Sequence, residues 1–280
     1  MNLPPDFDLD GFINATLAED LGPTGDVTSA AVIPPDARFT GVMAAREPIA
    51  VAGLPLAEAF FRALDPDVAI EVCAADGDRV PAGTELLRLA GNARSLLTAE
   101  RSALNTVQHL SGVATLTAAY VDAMAGGGAI LLDTRKTIPG LRLLEKYATR
   151  MGGAQNHRMG LWDAAMIKDN HVAVAGGVAA AVERAVAAGI GRIIVEVDRL
   201  DQIEPAIGAG ATHLLLDNMA APMLAEAVSI VAGRVPTEAS GGVRLDTIAA
   251  IAATGVTYVS VGRLTQSAPA VDIGLDFAAA

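Results

Sequence analysis

From about residue 128 onward the sequence repeats one theme. A short apolar or β-branched run ends in a polar tip, and an Ala- and Leu-rich stretch of helical spacing follows. The runs are 129–132, 164–167, 192–195, 212–216, 235–238 and 256–259. The helical stretches are 141–150, 178–188, 201–209, 222–232 and 245–253. Strand, tip and helix in alternation predict βα units around a parallel sheet. Six such units suit a closed or nearly closed β/α barrel, with a doubly wound sheet as the alternative. No GxGxxG phosphate loop follows the first strand, which lowers the nucleotide-binding form of that alternative.

In a β/α barrel the carboxyl ends of the strands open into one mouth. The polar tips would meet there: Thr134, Arg135 and Lys136; Lys168; Glu196; Asp217; Ser240, Gly241 and Gly242; Val261, Gly262 and Arg263. The stretch 132–171 is unusually basic. It holds all three lysines of the chain, with Arg135, Arg142, Arg150, Arg158, His157 and His171, on a background of net charge −12. Such a cluster in an acidic protein points to a local anion pocket. A solvated helix face over 142–150 would account for Lys146 and Arg150. It does not account for Arg135-Lys136 between an apolar strand and a Pro-Gly turn, or for Lys168 at the end of another apolar run.

The cations outnumber what one phosphate requires and suit a ligand with carboxylates as well as phosphates. Plain turn chemistry explains either glycine tip alone. Both at the last two strands suggest backbone N–H groups presented to a phosphate. Glu196 and Asp217 have three readings: carboxylates that stabilise the barrel, ligands of Mg²⁺ directly or through water, or anions facing a cationic transition state. Lys168 is either a Schiff-base nucleophile, as in barrel aldolases, or a plain cation. His157 and His171 lack metal-ligand spacing, and His109 and His213 read as structural.

The first third alternates one or two helices with short strands and predicts a small α+β domain. A long helical pattern follows over 95–125, with a break expected at Ser111-Gly112 and a capping box or first-turn acid over Thr98–Arg101. Arg101 falls on one face with Asn105 and Gln108 and by itself would be an ordinary surface arginine. With 52% hydrophobic and 4% aromatic residues, the core is expected to be Ala, Val, Leu and Ile. No apolar run approaches the ~20 residues of a membrane span. The N-terminus MNLPPDFDLD carries acids and prolines rather than signal-peptide features. The single cysteine, Cys73, excludes an internal disulfide framework and reads as a buried strand residue. Cytoplasmic localisation is expected, and a pI near 4.7 argues against nucleic-acid binding.

The strings EDLGPTGDVTS, LLTAERSALNTVQHLSGVATLT, LDTRKTIPGLRLLEKYA, GGAQNHRMGLWDAAMIKDNH, EVD, LLLDNM, EASGGV and VSVGRLTQSAPAVDIGLDF stand in order along nearly the whole chain. Together they closely resemble the quinolinate phosphoribosyltransferases, the carboxylating nicotinate-nucleotide pyrophosphorylases. The DTRKTxPGLR and NHRxGLxDxxxIKDNH strings are the specific ones. The resemblance implies an N-terminal α/β sandwich-like domain over 1–112, rejoined by about 268–280, and an incomplete, open TIM-like β/α barrel over 113–267. It implies a homodimer, or a hexamer built as a trimer of dimers. The implied substrates are quinolinate and 5-phosphoribosyl-1-diphosphate, with Mg²⁺ required and nicotinate mononucleotide, carbon dioxide and diphosphate as products. Arg135, Lys136, His157, Arg158 and Lys168 would then meet the quinolinate carboxylates, and Arg101 would come from the neighbouring subunit. Glu196 and Asp217 would hold the ribose hydroxyls and Mg²⁺. Ser240, Gly241, Gly242, Val261, Gly262 and Arg263 would surround the 5-phosphate, with Lys136, Lys168, Glu196 and Asp217 as the catalytic set and Thr134 beside them. Arg263 departs from the family, where a small residue commonly stands. A molybdenum-transport-associated homologue of the same fold, or a Schiff-base barrel lyase using Lys168, is the alternative.

Overall fold

In a computed structural model, which describes residues 3–277, the chain divides into two units. The first two residues of the acidic N-terminus and the last three of the C-terminal segment lie outside the described residues. The first unit takes the chain through Ala118, then Leu143–Gly153, and then the residues from Ser267 on. The second takes Ala119–Arg142 and Ala154–Gln266. The division at Ala118 differs from the expected cut after residue 112.

The elements run in order as α1 (Leu9–Leu21), α2 (Val27–Val32), β1 (Arg38–Ala45), β2 (Ile49–Ala50), α3 (Leu54–Leu64), β3 (Ala69–Val72), β4 (Arg79–Val80), β5 (Glu85–Asn92) and α4 (Ala93–Ala123). Then come β6 (Ile130–Leu132), α5 (Arg142–Met151), β7 (Ala165–Ile167), α6 (Asp169–Ala175), α7 (Val178–Ala187) and β8 (Ile193–Val197). A 3₁₀ turn at Leu200–Gln202 leads to α8 (Ile203–Gly208), β9 (His213–Asp217), α9 (Ala221–Val231), β10 (Thr237–Ser240), α10 (Ile248–Ala252), β11 (Tyr258–Ser260), α11 (Arg263–Gln266) and β12 (Ile273–Phe277).

The first unit is built on an antiparallel sheet in the order β12-β1-β5-β3. Alternate residues of β1 and β5, among them Met43, Leu87 and Leu89, turn into a core shared with Leu17 of α1, Phe60 and Phe61 of α3, and Leu96, Leu104 and Val107 of α4. This is the half-buried alternation expected of an antiparallel sheet with helices on one face. The C-terminal strand β12 pairs with β1, Gly274 opposite Ala44.

Four expectations are corrected in this unit. The long helix does not break at Ser111-Gly112. The Ser111 hydroxyl donates to the Ala52 carbonyl at 3.1 Å, and a Cβ at Gly112 would lie 2.1 Å from the Pro269 carbonyl oxygen. The glycine permits a close backbone approach rather than a turn. Thr98 is not a cap, since α4 begins at Ala93 behind Asn92, whose Oδ1 accepts the Ser95 amide, and the Thr98 hydroxyl donates to Asp26 instead. Cys73 is exposed rather than buried, because it follows β3, the edge strand of the sheet. Lys146 is not on a solvated face but 1% exposed, beside the wholly buried Glu145, whose Oε1 lies 3.0 Å from His109 Nε2.

In the second unit six strands pair in parallel in the order β6-β11-β10-β9-β8-β7. The first strand of this set lies beside the last, which is barrel order; a doubly wound sheet would instead reverse direction at an inner strand. The ring stays open between β6 and β7. There a single bridge, Leu132 to Gln155, takes the place of a strand pair. The barrel is therefore incomplete, six-stranded and TIM-like. Ala164, Ile194 and Leu215, with Met166 against them, fill its interior.

Candidate active site

Side chains alternate across a strand, so residues two apart share a face. In each barrel strand the inward set begins apolar or buried and ends in a chemical group at the carboxyl end. Met166 leads to Lys168, Leu215 to Asp217, Glu238 to Ser240 and Ser260 to Gly262, and all eight line one open cavity of about 910 Å³. Glu196 lines it too, one inward step above Ile194. The cavity brings together all of Thr134, Arg135, Lys136, His157, Arg158, Lys168, Glu196, Asp217, Ser240, Gly241, Gly242, Val261, Gly262 and Arg263. Arg101 is not among them: it is exposed on α4 in the first unit.

The loop between α5 and β7 is pinned by Asp133, which is fully buried. Its Oδ1 accepts the His157 amide at 2.8 Å and its Oδ2 accepts Asn156 Nδ2 at 2.6 Å. That places Arg158 inside the barrel, 7% exposed, with Nη1 donating to the Ala164 carbonyl at 3.1 Å. Burial pulls the Arg158 pKa below its ordinary value, and the positive charge of Arg135 and then Arg192 acts in the same direction against Asp163. Arg135 Nε is itself buried and has no hydrogen-bond partner among the described residues. Two guanidiniums that repel each other, one with an unmet donor, form a site that a carboxylate would relieve.

Lys136 is held by its backbone. Its amide donates to Thr134 Oγ1 at 3.0 Å and its carbonyl accepts from the Thr265 hydroxyl at 2.7 Å. Its side chain runs along Gly262, where a Cβ would lie 2.8 Å from Lys136 Cδ. At the opposite strand ends Gly241 and Gly242 have φ of +93° and +61°, and Asn218 also takes a positive φ, +54°. The Asn218 amide donates to the Ser240 carbonyl at 2.9 Å, locking the β9 and β10 tips together.

Lys168 Nζ lies 2.6 Å from Glu196 Oε2. This ion pair differs from the desolvated amine that a Schiff-base lysine uses. Burial raises the Asp217 pKa, followed by the charge of Glu196, and the effect is opposed by Lys168, the Asn218 amide and Lys136. A folded-state pKa above the unfolded one means that ionised Asp217 costs stability at neutral pH, and that the cost disappears as pH falls through the raised value. Asp217→Asn is therefore expected to raise the Tm of the free protein at pH 7. The rise should be small, about 1 °C, since solvent screens a half-exposed group. A calorimetric scan in which Asp217→Asn melts lower would contradict this.

As a metal site the two carboxylates offer hard oxygen donors of the kind Mg²⁺ takes. Among the described residues no group of three or more His, Cys, Asp or Glu is placed to hold a metal ion. The two carboxylates fit a Mg²⁺ whose shell would be completed by other oxygens.

Sequence reasoning missed two parts of this arrangement. Asn218 braces Asp217, donating from Nδ2 to Oδ2 at 2.6 Å. Glu238, fully buried on β10, lines the cavity between His157 and His213. The available signal was a lone acid inside the apolar run VPTEA, since a buried charge requires partners.

An open six-stranded β/α barrel whose mouth combines guanidiniums, lysines, two carboxylates and glycine-bearing tips defines an anion-handling barrel protein with the makings of a phosphate-ester transferase. The chain matches the family model for the quinolinate phosphoribosyl transferase C-terminal domain over residues 113–276 and the N-terminal domain model over 26–111. It is 43% identical over 291 aligned positions to a quinolinate phosphoribosyltransferase [decarboxylating] of Nicotiana tabacum, covering 97% of this chain and 83% of that one. It is 44% identical to a nicotinate-nucleotide pyrophosphorylase [carboxylating] of Mycobacterium leprae, covering 94% of this chain and 95% of the relative. The crystal structure of NadC from Streptococcus pyogenes superposes with a TM-score of 0.94 at 39% identity, covering 100% of both chains. The chain belongs to the quinolinate phosphoribosyl transferase family.

Proposed function

We propose that this enzyme transfers the phosphoribosyl group of 5-phosphoribosyl-1-diphosphate to quinolinate with loss of carbon dioxide, giving nicotinate mononucleotide and diphosphate for the de novo synthesis of NAD. Family membership supports the reaction class. The observation that carries the choice of substrate is buried Arg158 together with half-buried Arg135, whose buried Nε has no hydrogen-bond partner among the described residues, in one cavity with Lys168 and the glycine-bearing tips. A planar acid with two carboxylates meets the first set and a phosphate the second.

In this reading Arg135, Arg158 and Lys168 hold the two carboxylates, with Lys136 and Thr134 between them and the ribose. The ring nitrogen attacks C1 of the ribose while the C1–O bond to diphosphate breaks. Glu196 and Asp217 face the positive charge that develops at C1. Glu196 and Asp217 would hold Mg²⁺ together with substrate oxygens, and the ion would offset charge on the departing diphosphate. The ring nitrogen is then cationic, the C2–carboxylate bond breaks, and its electron pair stays at C2 until a proton replaces carbon dioxide. The barrel's contribution to this second step is orientation and exclusion of water. Ser240, Gly241, Gly242, Val261, Gly262 and Arg263 surround the 5-phosphate.

The enzyme works as a homodimer or a trimer of dimers, with exposed Arg101 completing a neighbour's site. Mixing inactive Arg101→Ala and inactive Lys136→Ala proteins is expected to restore turnover, because hybrid assemblies contain intact sites. No regain on mixing would remove Arg101 from a shared site. The exposed thiol of Cys73 suits a reducing compartment, and the cytoplasm is the compartment assigned. Among the described residues no helix is long and apolar enough to cross a membrane.

The test of the reaction is turnover with 5-phosphoribosyl-1-diphosphate and Mg²⁺, following nicotinate mononucleotide by chromatography, with quinolinate and nicotinate in parallel. Product from quinolinate alone establishes the carboxylate-specific transferase. No product from either acid with folded protein would overturn it.

A further inference from the structure

One residue that lines the cavity has no part in the proposed chemistry. Glu238 is wholly buried on β10, and its Oε2 lies 3.2 Å from His157 Nε2. His213 Nε2 comes within 3.0 Å of the same oxygen, close but not aligned as a hydrogen bond, and its ring stacks on Tyr258 at 5.5 Å. Glu238 Oε1 has no hydrogen-bond partner among the described residues. Burial pushes the Glu238 pKa up, yet it is held below its ordinary value by His157 first and then His213. The carboxylate is therefore ionised, and ionised oxygen can only accept.

The other nitrogen of His157 is also committed. The Arg158 amide donates to His157 Nδ1 at 2.7 Å. An amide N–H can only donate, so Nδ1 carries no proton and the ring proton is on Nε2, facing Glu238. The hydrogen bond at one imidazole nitrogen sets the proton at the other. We propose that Glu238 is a positioning residue of the acid-binding site: it fixes His157 as the Nε2–H tautomer, and through Nδ1 fixes the backbone of Arg158, the buried cation of the site. This rests on the reading of the cavity as a dicarboxylate site and adds a member to it. His157 then enters the site as a neutral ring of fixed orientation, not as one more positive charge.

A neutral His157 donates its Nε2–H to Glu238 without adding a charge, so the cations that line the cavity remain the guanidiniums and lysines. Without Glu238, the Nε2–H of His157 would be buried without an acceptor, which favours a moved proton or a turned ring. Either change frees the Arg158 amide.

The test uses ¹⁵N-histidine-labelled full-length protein and two variants. Long-range ¹H–¹⁵N spectra, with His157 assigned by His157→Gln, are expected to show the Nε2–H pattern in the wild type. Glu238→Gln retains an acceptor oxygen and is expected to keep that pattern. Glu238→Leu removes the acceptor and is expected to lose it. Quinolinate KM should rise about tenfold in Glu238→Leu, the scale of one lost hydrogen bond to a charged group, with the KM for 5-phosphoribosyl-1-diphosphate within about twofold. A wild-type spectrum showing Nδ1–H or a doubly protonated ring would overturn the proposal, as would an unchanged His157 signal in folded Glu238→Leu. Equal rises in both KM values would do the same. If Glu238→Leu fails to fold, the wild-type and Glu238→Gln spectra still decide the tautomer. The spectra need no turnover, so the proposal can fail while the transferase reading stands, and the reverse.

Discussion

Arg158→Ala is expected to lower kcat/KM for quinolinate by on the order of 10²-fold or more, about 2.7 kcal/mol. Arg158 is 7% exposed, feels the positive charge of Arg135 and is anchored through Nη1 to the Ala164 carbonyl. In the free protein this arrangement is costly, because burial and Arg135 both disfavour the charge. A bound carboxylate turns the same burial into affinity, since the low-dielectric surroundings strengthen the attraction. Removing the side chain should therefore damage substrate capture far more than it damages folding. The expected pattern is a raised quinolinate KM and an unchanged or slightly raised Tm. Arg158→Lys should recover little, because an ammonium cannot donate in a bidentate fork or reach Ala164 in the same geometry. Lys136→Ala is expected to lose a comparable factor. Steady-state kinetics at fixed saturating 5-phosphoribosyl-1-diphosphate decide the matter, and near-normal values in both variants would remove these residues from the site.

Gly241→Ala is expected to be the most damaging small substitution at the phosphate end. Its φ is +93°, outside the range an alanine readily adopts, and the added Cβ would lie 2.2 Å from Asn218 Oδ1 and 2.9 Å from the Asn218 amide nitrogen. The side chain could swing away, but the backbone amide is held by the Ser240 carbonyl. Strain of this kind costs about 1–3 kcal/mol, or several degrees of Tm for a chain of this size. The same shift moves Asn218 off Asp217, so the KM for 5-phosphoribosyl-1-diphosphate should rise more than that for quinolinate. Gly242→Ala is the control. Its φ is +61° with nothing within 4 Å of the added Cβ, so only the left-handed backbone opposes it, at roughly 1–2 kcal/mol. A Gly241→Ala protein no less stable than Gly242→Ala would contradict the contact with Asn218.

The barrel was legible because its signal is local. Each βα unit carries its own apolar run and polar tip, and a strand's two-residue alternation sends Lys168, Glu196, Asp217 and Ser240 to the same side as the residues two places before them. The basic tips stood out for the same reason, as charges at the ends of apolar runs on an acidic chain. Family-specific strings added Arg101, which no local pattern marked.

Tertiary structure decided what depends on a distant neighbour. Gly112 looked like a helix break, and its meaning came from Pro269, which occupies the space a side chain would need. Lys146 had the spacing of a solvated face, yet its helix is covered, and Cys73 had the setting of a core residue, yet its strand is an edge. Glu238 stood only as the last residue of the run 235–238, and its partner His157 lies 81 positions away. Periodicity along a chain determines which side a residue faces. Whether that side meets water, a counter-charge or another backbone is set by segments far away in sequence, because burial and pairing energies belong to contacts and not to residues.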